Sequence, residues 1–338
     1  MKKVYQIIQK LPVFTLLIFL LNNTQVMAQH KTTYAEGQFP DSLKHIKAGV
    51  LEVAYREAGP SDGQTVILLH GWPYGIDSYT ATTKILAAKG FHVYIPYARG
   101  FGGTRFLSDK TPRTGEPAAL AQDLIDFMDA LHIQKAILGG YDWGARTADI
   151  IAAIHPERAT ALVAVSGYLI GNPKASVKPL VPEAELKWWY QFYFATKRGA
   201  EGYKQYTKQF AKLIWELASP KWNIQKSYFP EEAASLENPD HVAITIHNYR
   251  YRLELVKGEK KYATLEEKIN TLPNINVPTV TLEGDANGAP HPSPESYRSK
   301  FTGKYAHHTI KGGIGHNLPE EAPQAFADAI MEAASFAK

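Results

Sequence analysis

Short apolar segments alternate with helical patterns along most of this chain, and the alternation limits the possible folds more than any other feature. Four segments are continuously apolar and bounded by turn residues, as strands buried on both faces are. They cover residues 66–69, 93–95, 136–138 and 162–165. Three segments between them carry apolar residues at three- and four-residue spacing, which predicts helices. These cover residues 80–89, 118–131 and 145–154. The order strand, helix, strand, helix predicts an α/β fold with a mostly parallel sheet flanked by helices.

The alternation stops near residue 170 and resumes with predicted strands over 277–282 and 305–310 and a final helix over 319–336. The intervening segment is mainly helical and rich in aromatic residues. We interpret it as a helical cap (170–268) inserted between two parts of the core (29–169 and 269–338). We expect Trp188, Phe192 and Trp215 to pack inside the cap, because most aromatic residues in such helices are buried.

The first 28 residues have the pattern of a secretory signal peptide. A positive start at Met1-Lys2-Lys3 precedes a mostly apolar run over 11–21, and Val26-Met27-Ala28 offers small residues for cleavage before Gln29. A membrane anchor needs about 20 apolar residues, more than the uninterrupted run provides. We therefore expect cleavage between Ala28 and Gln29, a secreted or periplasmic mature protein, and no membrane association after cleavage.

Charge and cysteine content exclude several classes of function. The formal net charge is +4, of which Lys2, Lys3 and Lys10 of the predicted signal peptide supply three. The remainder is too balanced for a nucleic-acid-binding surface. The chain contains no cysteine, which excludes disulfides, thiolate catalysis and cysteine-type zinc sites. Any nucleophile must therefore be oxygen or nitrogen.

The motif Gly140-Tyr141-Asp142-Trp143-Gly144 lies between a predicted strand and a predicted helix, which is the context of a nucleophile elbow. Its central residue is an aspartate, and the start of the following helix favours an anion there. Unlike a serine, a carboxylate needs no base to become nucleophilic. Asp142 could instead be an ordinary helix cap. The glycines on both sides favour the nucleophile.

Backbone donors for an oxyanion hole are expected at two places. In this architecture one amide follows the nucleophile and the other lies in the loop after an earlier strand. That loop is His70-Gly71-Trp72-Pro73, so the predicted donors are the amides of Trp72 and Trp143.

An acid and a histidine are expected after later strands. Asp285 follows the strand ending at Gly284, and His316 follows the last strand, so Asp142, Asp285 and His316 occur in the order nucleophile, acid, histidine. Glu283 is a rival for the acid. We favour Asp285 because a carboxylate beyond the strand end reaches farther into the site.

These motifs resemble those of the α/β-hydrolase superfamily, in particular the branch with an aspartate nucleophile that contains epoxide hydrolases and haloalkane dehalogenases. Two cap segments resemble the epoxide hydrolases within that branch: Tyr190 stands just before Gln191, and Tyr249 stands in Asn248-Tyr249-Arg250. The resemblance implies that Tyr190 and Tyr249 hold the oxygen of a small apolar epoxide and donate a proton as the ring opens. It also implies attack by Asp142, ester hydrolysis by water that His316 activates, and no metal or organic cofactor.

Three alternatives remain open at this point. A haloalkane dehalogenase would use the same triad and bind the departing halide through N–H donors such as Trp143, Trp188 or Trp189. Fluoroacetate dehalogenases pair two arginines after the nucleophile, whereas this chain has Trp143 at the first of those positions and Arg146 at the second. A non-catalytic binding protein on a hydrolase fold would not need to retain a candidate for every catalytic role.

Overall fold

A nine-stranded, mostly parallel sheet is the centre of the described part of the chain, residues 42–337 of a computed structural model. Its strands are β1 (Lys44–Ala48), β2 (Leu51–Ala58), β3 (Gln64–Leu69), β4 (Phe91–Pro96), β5 (Arg105–Phe106), β6 (Ala136–Gly140), β7 (Ala159–Val165), β8 (Thr279–Gly284) and β9 (Tyr305–Ile310). They are arranged in the order β1-β2-β4-β3-β6-β7-β8-β9, with β5 paired to β2. All neighbours from β4 to β9 run parallel, so their carboxyl ends share one edge of the sheet. The predicted α/β fold is confirmed. The predicted signal peptide lies outside the described residues.

Helices cover both faces of the sheet. The core helices are α1 (Thr80–Ala88), α2 (Pro117–Ala130), α3 (Trp143–Ile154), α11 (Pro294–Tyr297), α12 (Leu318–Glu321) and α13 (Pro323–Phe336). Side chains alternate along β3: Val66 and Leu68 pack in the cluster that includes α1 and α13, whereas Ile67 and Leu69 pack in the cluster that includes α2 and α3. The predicted last helix is divided in two, because Pro323 lacks an amide hydrogen and begins a new helix.

The helical segment between β7 and β8 lies on the side of the sheet's carboxyl edge. Its helices are α4 (Pro182–Lys187), α5 (Trp189–Ala195), α6 (Lys197–Gln205), α7 (Thr207–Ala218), α8 (Phe229–Ser235), α9 (His241–Arg252) and α10 (Ala263–Asn270). Trp215 is buried and Trp188 is partly buried, as expected. The expectation for Phe192 is wrong: its side chain is 41% exposed. Inside the cap, Trp72 of the core meets an aromatic cluster that includes Tyr190, Phe194 and Tyr249.

Within residues 42–337, no helix combines the length and the apolar character that crossing a membrane requires.

Candidate active site

Asp142 occupies a sharp turn between β6 and α3. Its backbone has φ 51° and ψ −126°, a positive φ that is uncommon outside glycine and that must be held by the surrounding structure. The turn is tight enough that a Cβ atom at Gly140 would lie only 2.5 Å from the carbonyl carbon of Gly144. Glycine at position 140 therefore allows α3 to begin directly above the strand and presents the Asp142 side chain at the carboxyl edge of the sheet.

The Asp142 carboxylate is held by both predicted backbone donors. The Trp72 amide donates to Oδ1 at 2.7 Å, because the parallel pairing of Leu69 with Gly140 aligns the ends of β3 and β6. Burial raises the pKa of Asp142, but the His316 side chain and the Trp72 and Trp143 amides outweigh burial and hold that pKa below its usual range. The carboxylate is therefore ionised at neutral pH.

His316 faces the second carboxylate oxygen. Its Nε2 lies 3.5 Å from Asp142 Oδ2, and both side chains line the same small cavity. A water molecule beside this pair would be within reach of the imidazole and the carboxyl group together. The arrangement therefore combines a carboxylate with a potential general base on one side of the turn.

Tyr190 on α5 and Tyr249 on α9 meet above the carboxylate. Their ring centroids are 5.4 Å apart, and each ring also packs against Trp72. Burial raises the pKa of both phenols, and the negative charge of Asp142 raises both further. Both hydroxyls therefore remain protonated at neutral pH beside an ionised carboxylate.

The cavity that Asp142 and His316 line is small, about 40 Å³, and it is bordered by Trp72, Tyr74 and Tyr190. A water molecule occupies about 30 Å³ in the liquid, so this volume suits one or two waters. A larger ligand requires cap side chains to move.

A family model described as the alpha/beta hydrolase fold matches residues 64–252 of this chain. The matched range includes β3, the Asp142 turn and both cap tyrosines.

The chain belongs to the α/β-hydrolase family.

Several proteins similar to this hydrolase carry epoxide-hydrolase names. A crystal structure of a "putative epoxide hydrolase" from Klebsiella pneumoniae subsp. pneumoniae is 57% identical, with a TM-score of 0.86 over 87% of this chain and 98% of that one. Epoxide hydrolase B of Mycobacterium tuberculosis is 32% identical over 150 residues, which cover 40% of this chain and 41% of that protein. Epoxide hydrolase 3 of Siraitia grosvenorii is 29% identical over 153 residues, 45% of this chain and 47% of that protein. The matches span less than half the length of these curated relatives. Potato epoxide hydrolase I (18% identity, TM-score 0.67, 86% of this chain and 98% of that one) shares the fold.

The prediction that Asp285 orients His316 is wrong in this hydrolase. The Asp285 carboxylate is exposed and accepts hydrogen bonds from the amides of Gly312, Gly313 and Ile314 at 2.8–3.2 Å. Those amides converge because Gly312 and Gly313 both adopt positive φ and form a concave anion site. Asp285 thus fixes the loop that leads to His316, and it does not contact the imidazole.

The rival carboxylate, Glu283, does not orient the imidazole either. Its Oε1 accepts from the Gly284 amide and from Asn287 Nδ2, and its Oε2 lies 3.8 Å from His291. Within residues 42–337, His316 Nδ1 is buried and has no hydrogen-bond partner. The structure therefore brings Asp142 and His316 together without the predicted third member.

Two residues that the sequence analysis missed hold the His316 backbone in place. Ser219, just after α7, accepts from the His316 amide at 3.0 Å and donates to Glu321 at 2.6 Å. Glu321 also accepts from the Gly315 and Asn317 amides. The Glu320-Glu321 pair so soon after His316 is the only sequence signal for this arrangement, since Ser219 lies almost 100 residues away.

A hydrogen-bonded chain fixes the Trp72 ring. Its Nε1 donates to the Tyr203 hydroxyl at 2.8 Å, and that hydroxyl lies 2.7 Å from Nε2 of His241. The other ring nitrogen of His241 bonds the Gly100 carbonyl at 2.9 Å, so Nε2 is the acceptor. Burial lowers the pKa of His241 to about 4, which keeps the imidazole neutral. The Trp72 indole is therefore committed to Tyr203 and cannot serve a ligand.

His70 has a structural role. Its Nδ1 lies 3.1 Å from the Gly71 carbonyl, and its Nε2 accepts from the Ala98 amide at 3.1 Å. Burial lowers the pKa of His70 to about 4, so it remains neutral and shapes the loop that carries Trp72.

Within residues 42–337, no group of three or more histidine, aspartate or glutamate side chains is arranged to hold a metal ion.

Proposed function

We propose that this hydrolase opens epoxides to vicinal diols through a covalent ester on Asp142. The observation that carries the proposal is that two buried phenols, those of Tyr190 and Tyr249, pack on Trp72, whose amide holds the Asp142 carboxylate. A carboxylate attacks as an anion and a phenol can donate a proton, so the site combines a nucleophile with two potential acids. The epoxide-hydrolase names of similar proteins support the same conclusion.

In the proposed first step, Asp142 Oδ2 attacks an epoxide carbon, since Oδ1 is held by the Trp72 amide. A carbon–oxygen bond forms to the carboxylate while the ring carbon–oxygen bond breaks. The departing alkoxide takes a proton from Tyr190 or Tyr249. The product of this step is a hydroxyalkyl ester of Asp142.

In the proposed second step, His316 Nε2 takes a proton from water and the resulting hydroxide attacks the ester carbonyl. Negative charge develops on the carbonyl oxygen, where the Trp72 and Trp143 amides stabilise it. As the intermediate collapses, the acyl carbon–oxygen bond breaks, and the departing alkoxide takes the second proton of the water to complete the diol. The proton on His316 returns to the tyrosinate left by the first step, and one water-derived oxygen stays in the Asp142 carboxylate.

The first test is a His316→Gln variant incubated with styrene oxide and aliphatic epoxides. The ester should form but not hydrolyse, and intact-protein mass spectrometry should detect an adduct on Asp142. His155→Gln is the matched control, because His155 lies at the far end of α3 from Asp142 and its side chain is only partly buried. Absence of an adduct with any epoxide that the wild type converts would rule out the covalent scheme.

A single turnover in heavy-oxygen water gives an independent test. The proposal expects label in the Asp142 carboxylate after one turnover. Label confined to the released diol would mean direct attack of water on the epoxide.

Dehalogenation is a second candidate function, and the Trp143 indole favours it. Trp143 Nε1 is buried beside the Tyr249 hydroxyl, and a departing halide would replace that hydroxyl as the acceptor of the indole N–H. The same epoxide panel should be run beside bromoalkanes. Release of bromide without diol formation would transfer the assignment to a haloalkane dehalogenase.

We also propose that the protein is exported and that cleavage occurs between Ala28 and Gln29. The support is the charge, apolar and small-residue pattern of residues 1–28. Mass spectrometry of the mature protein from the periplasm or medium should find Gln29 at its start. A chain that retains Met1 there would contradict cleavage.

A further inference from the structure

A second and much larger cavity lies beside the candidate active site. Its volume is about 530 Å³, and it is bordered by the start of α3, the segment after β7, α5 and the end of α9. Trp188 and Gln191 line this cavity, whereas Trp189 and Tyr190 line the small cavity at Asp142. Helix α5 and the residue before it therefore border both cavities, which lie next to each other. A volume of this size is typical of small-molecule sites.

Arg146 reaches this cavity from the first turn of α3, four residues after Asp142. Only 8% of the residue is exposed, and its Nη2 has no hydrogen-bond partner within residues 42–337. Its guanidinium lies 5.9 Å from the centre of the Trp143 ring. Burial and the charge of Arg252 together lower the pKa of Arg146 to about 10, although the charges of Asp142 and Glu266 act in the opposite direction. Arg146 is still a cation at neutral pH, and a buried cation without a hydrogen-bonded partner is costly.

Arg252, at the end of α9, supplies a second cation to the same cavity. Its guanidinium lies 4.6 Å from the centre of the Trp188 ring and 5.7 Å from that of Tyr249. We find no hydrogen bond or ion pair of Arg252 with the described residues. Arg250, two positions earlier, instead donates to the carbonyls of Phe194 and Thr196. Arg252 thus faces the cavity with its donors free.

The carboxylates near this cavity are already hydrogen-bonded to the backbone. Glu185 lines the cavity and accepts from the Leu180 amide at 2.7 Å. Glu266 acts on Arg146 only through its charge, and its Oε1 accepts from the Ala118 amide. Lys178 also lines the cavity, so its side chains carry a net positive charge.

We propose that Arg146 and Arg252 bind a carboxylate of the substrate, which would make this hydrolase selective for epoxides that carry a carboxylate. This inference rests on the proposed function, because it assigns the substrate class of that site. In this proposal the carboxylate and the reacting epoxide belong to one molecule, because the two guanidiniums lie beside the rings of Trp143 and Tyr249 at the catalytic site. A planar monoanion suits the fork geometry of guanidinium and costs less to desolvate than a phosphate dianion.

The test compares terminal epoxy acids of increasing chain length with their methyl esters and with styrene oxide. For at least one chain length, kcat/KM for the acid should exceed that for its ester by about tenfold or more, since hydrogen bonds to charged groups are the strong ones. Arg146→Met and Arg252→Met should each remove most of this acid-to-ester preference, mainly through KM. Arg198→Met is the matched control: it removes the same charge from an exposed position on α6 and should keep the preference.

Calorimetry with hexanoate, an inert carboxylate, tests the carboxylate site separately from epoxide hydrolysis. Hexanoate should bind to the wild type, and Arg252→Met should weaken that binding about tenfold without changing the melting temperature. This result would support the carboxylate site even if no epoxide is converted. Failure to convert any epoxide would refute the proposed function alone. Equal kcat/KM for acids and esters at every chain length, with no hexanoate binding, would overturn the carboxylate site while leaving the proposed function intact. Arg252→Met also keeps the test decisive if Arg146→Met does not fold.

Discussion

The contact between Gly71 and Asp142 provides the sharpest test of the proposed nucleophile. A methyl group added at position 71 would lie 2.7 Å from the carboxyl carbon of Asp142. Non-bonded carbons prefer about 3.5–4.0 Å, so the carboxyl group must move by close to 1 Å. That movement would disturb the hydrogen bond from the Trp72 amide to Oδ1.

We expect Gly71→Ala to lower kcat for diol formation roughly a hundredfold, because a misplacement of about 1 Å at reacting atoms has an effect of that order. The overpacking should also reduce stability by about 1–3 kcal/mol, so thermal melts must show that the variant is folded at the assay temperature. The assay is single-turnover ester formation measured by quenched-flow mass spectrometry on any epoxide that the wild type converts.

Gly171→Ala is the control, since a methyl group there meets no atom within 4 Å. Because Gly171 borders the larger cavity, this control is run with styrene oxide, which has no carboxylate, and it should react at the wild-type rate. If Gly71→Ala formed the ester within threefold of the wild-type rate, the attacking group would not be the Asp142 carboxylate held by the Trp72 amide.

Three further predictions follow from the site. Tyr190→Phe and Tyr249→Phe should each slow ester formation by about 10²-fold or more, as loss of a general acid does, and stopped-flow rates equal to wild type would assign both rings to packing alone. Asp285→Asn should keep kcat within about threefold of wild type, because the Asp285 carboxylate bonds a backbone loop and does not contact His316. A loss of kcat near the roughly 10⁴-fold effect of replacing an orienting acid would show that Asp285 does orient His316 in solution. Burial raises the pKa of Glu320 to about 7 in the folded protein, whereas the unfolded chain loses this proton near pH 4.5. The free energy of unfolding should therefore fall by up to about 3 kcal/mol as pH rises from about 4.5 to 7. The melting temperature of Glu320→Gln relative to wild type should therefore increase between pH 5 and pH 8, and a pH-independent difference would contradict the raised pKa.

The position of Asp285 depends on the direction of nearby backbone amides as well as on its place after β8. Chain order and position after β8 predict that a carboxylate reaches the histidine. Whether it does depends on where the nearest amides point, and the positive φ angles of Gly312 and Gly313 turn three amides toward Asp285. The adjacent glycines were visible in the sequence, and a glycine pair after a strand is a signal for such an anion site.

The arginine pair could not be found in the same way. Arg146 and Arg252 are more than 100 residues apart, and only the packing of the cap against α3 brings both to one cavity. The positions of Tyr203 and His241 behind Trp72 depend on the same packing. Cap helices can meet a core in many orientations, and no local pattern specifies which one forms.

The sequence by itself determined the sheet, the turn at Asp142 and the two amides that hold its carboxylate. These depend on local apolar periodicity and on glycines within a few residues of the turn, and parallel pairing then brings the strand ends together. Only the tertiary structure decided that His316 lacks its predicted acid and that two cations share a cavity. Those features depend on side-chain directions and on contacts between distant segments, which follow from packing the whole chain rather than from any one stretch of it.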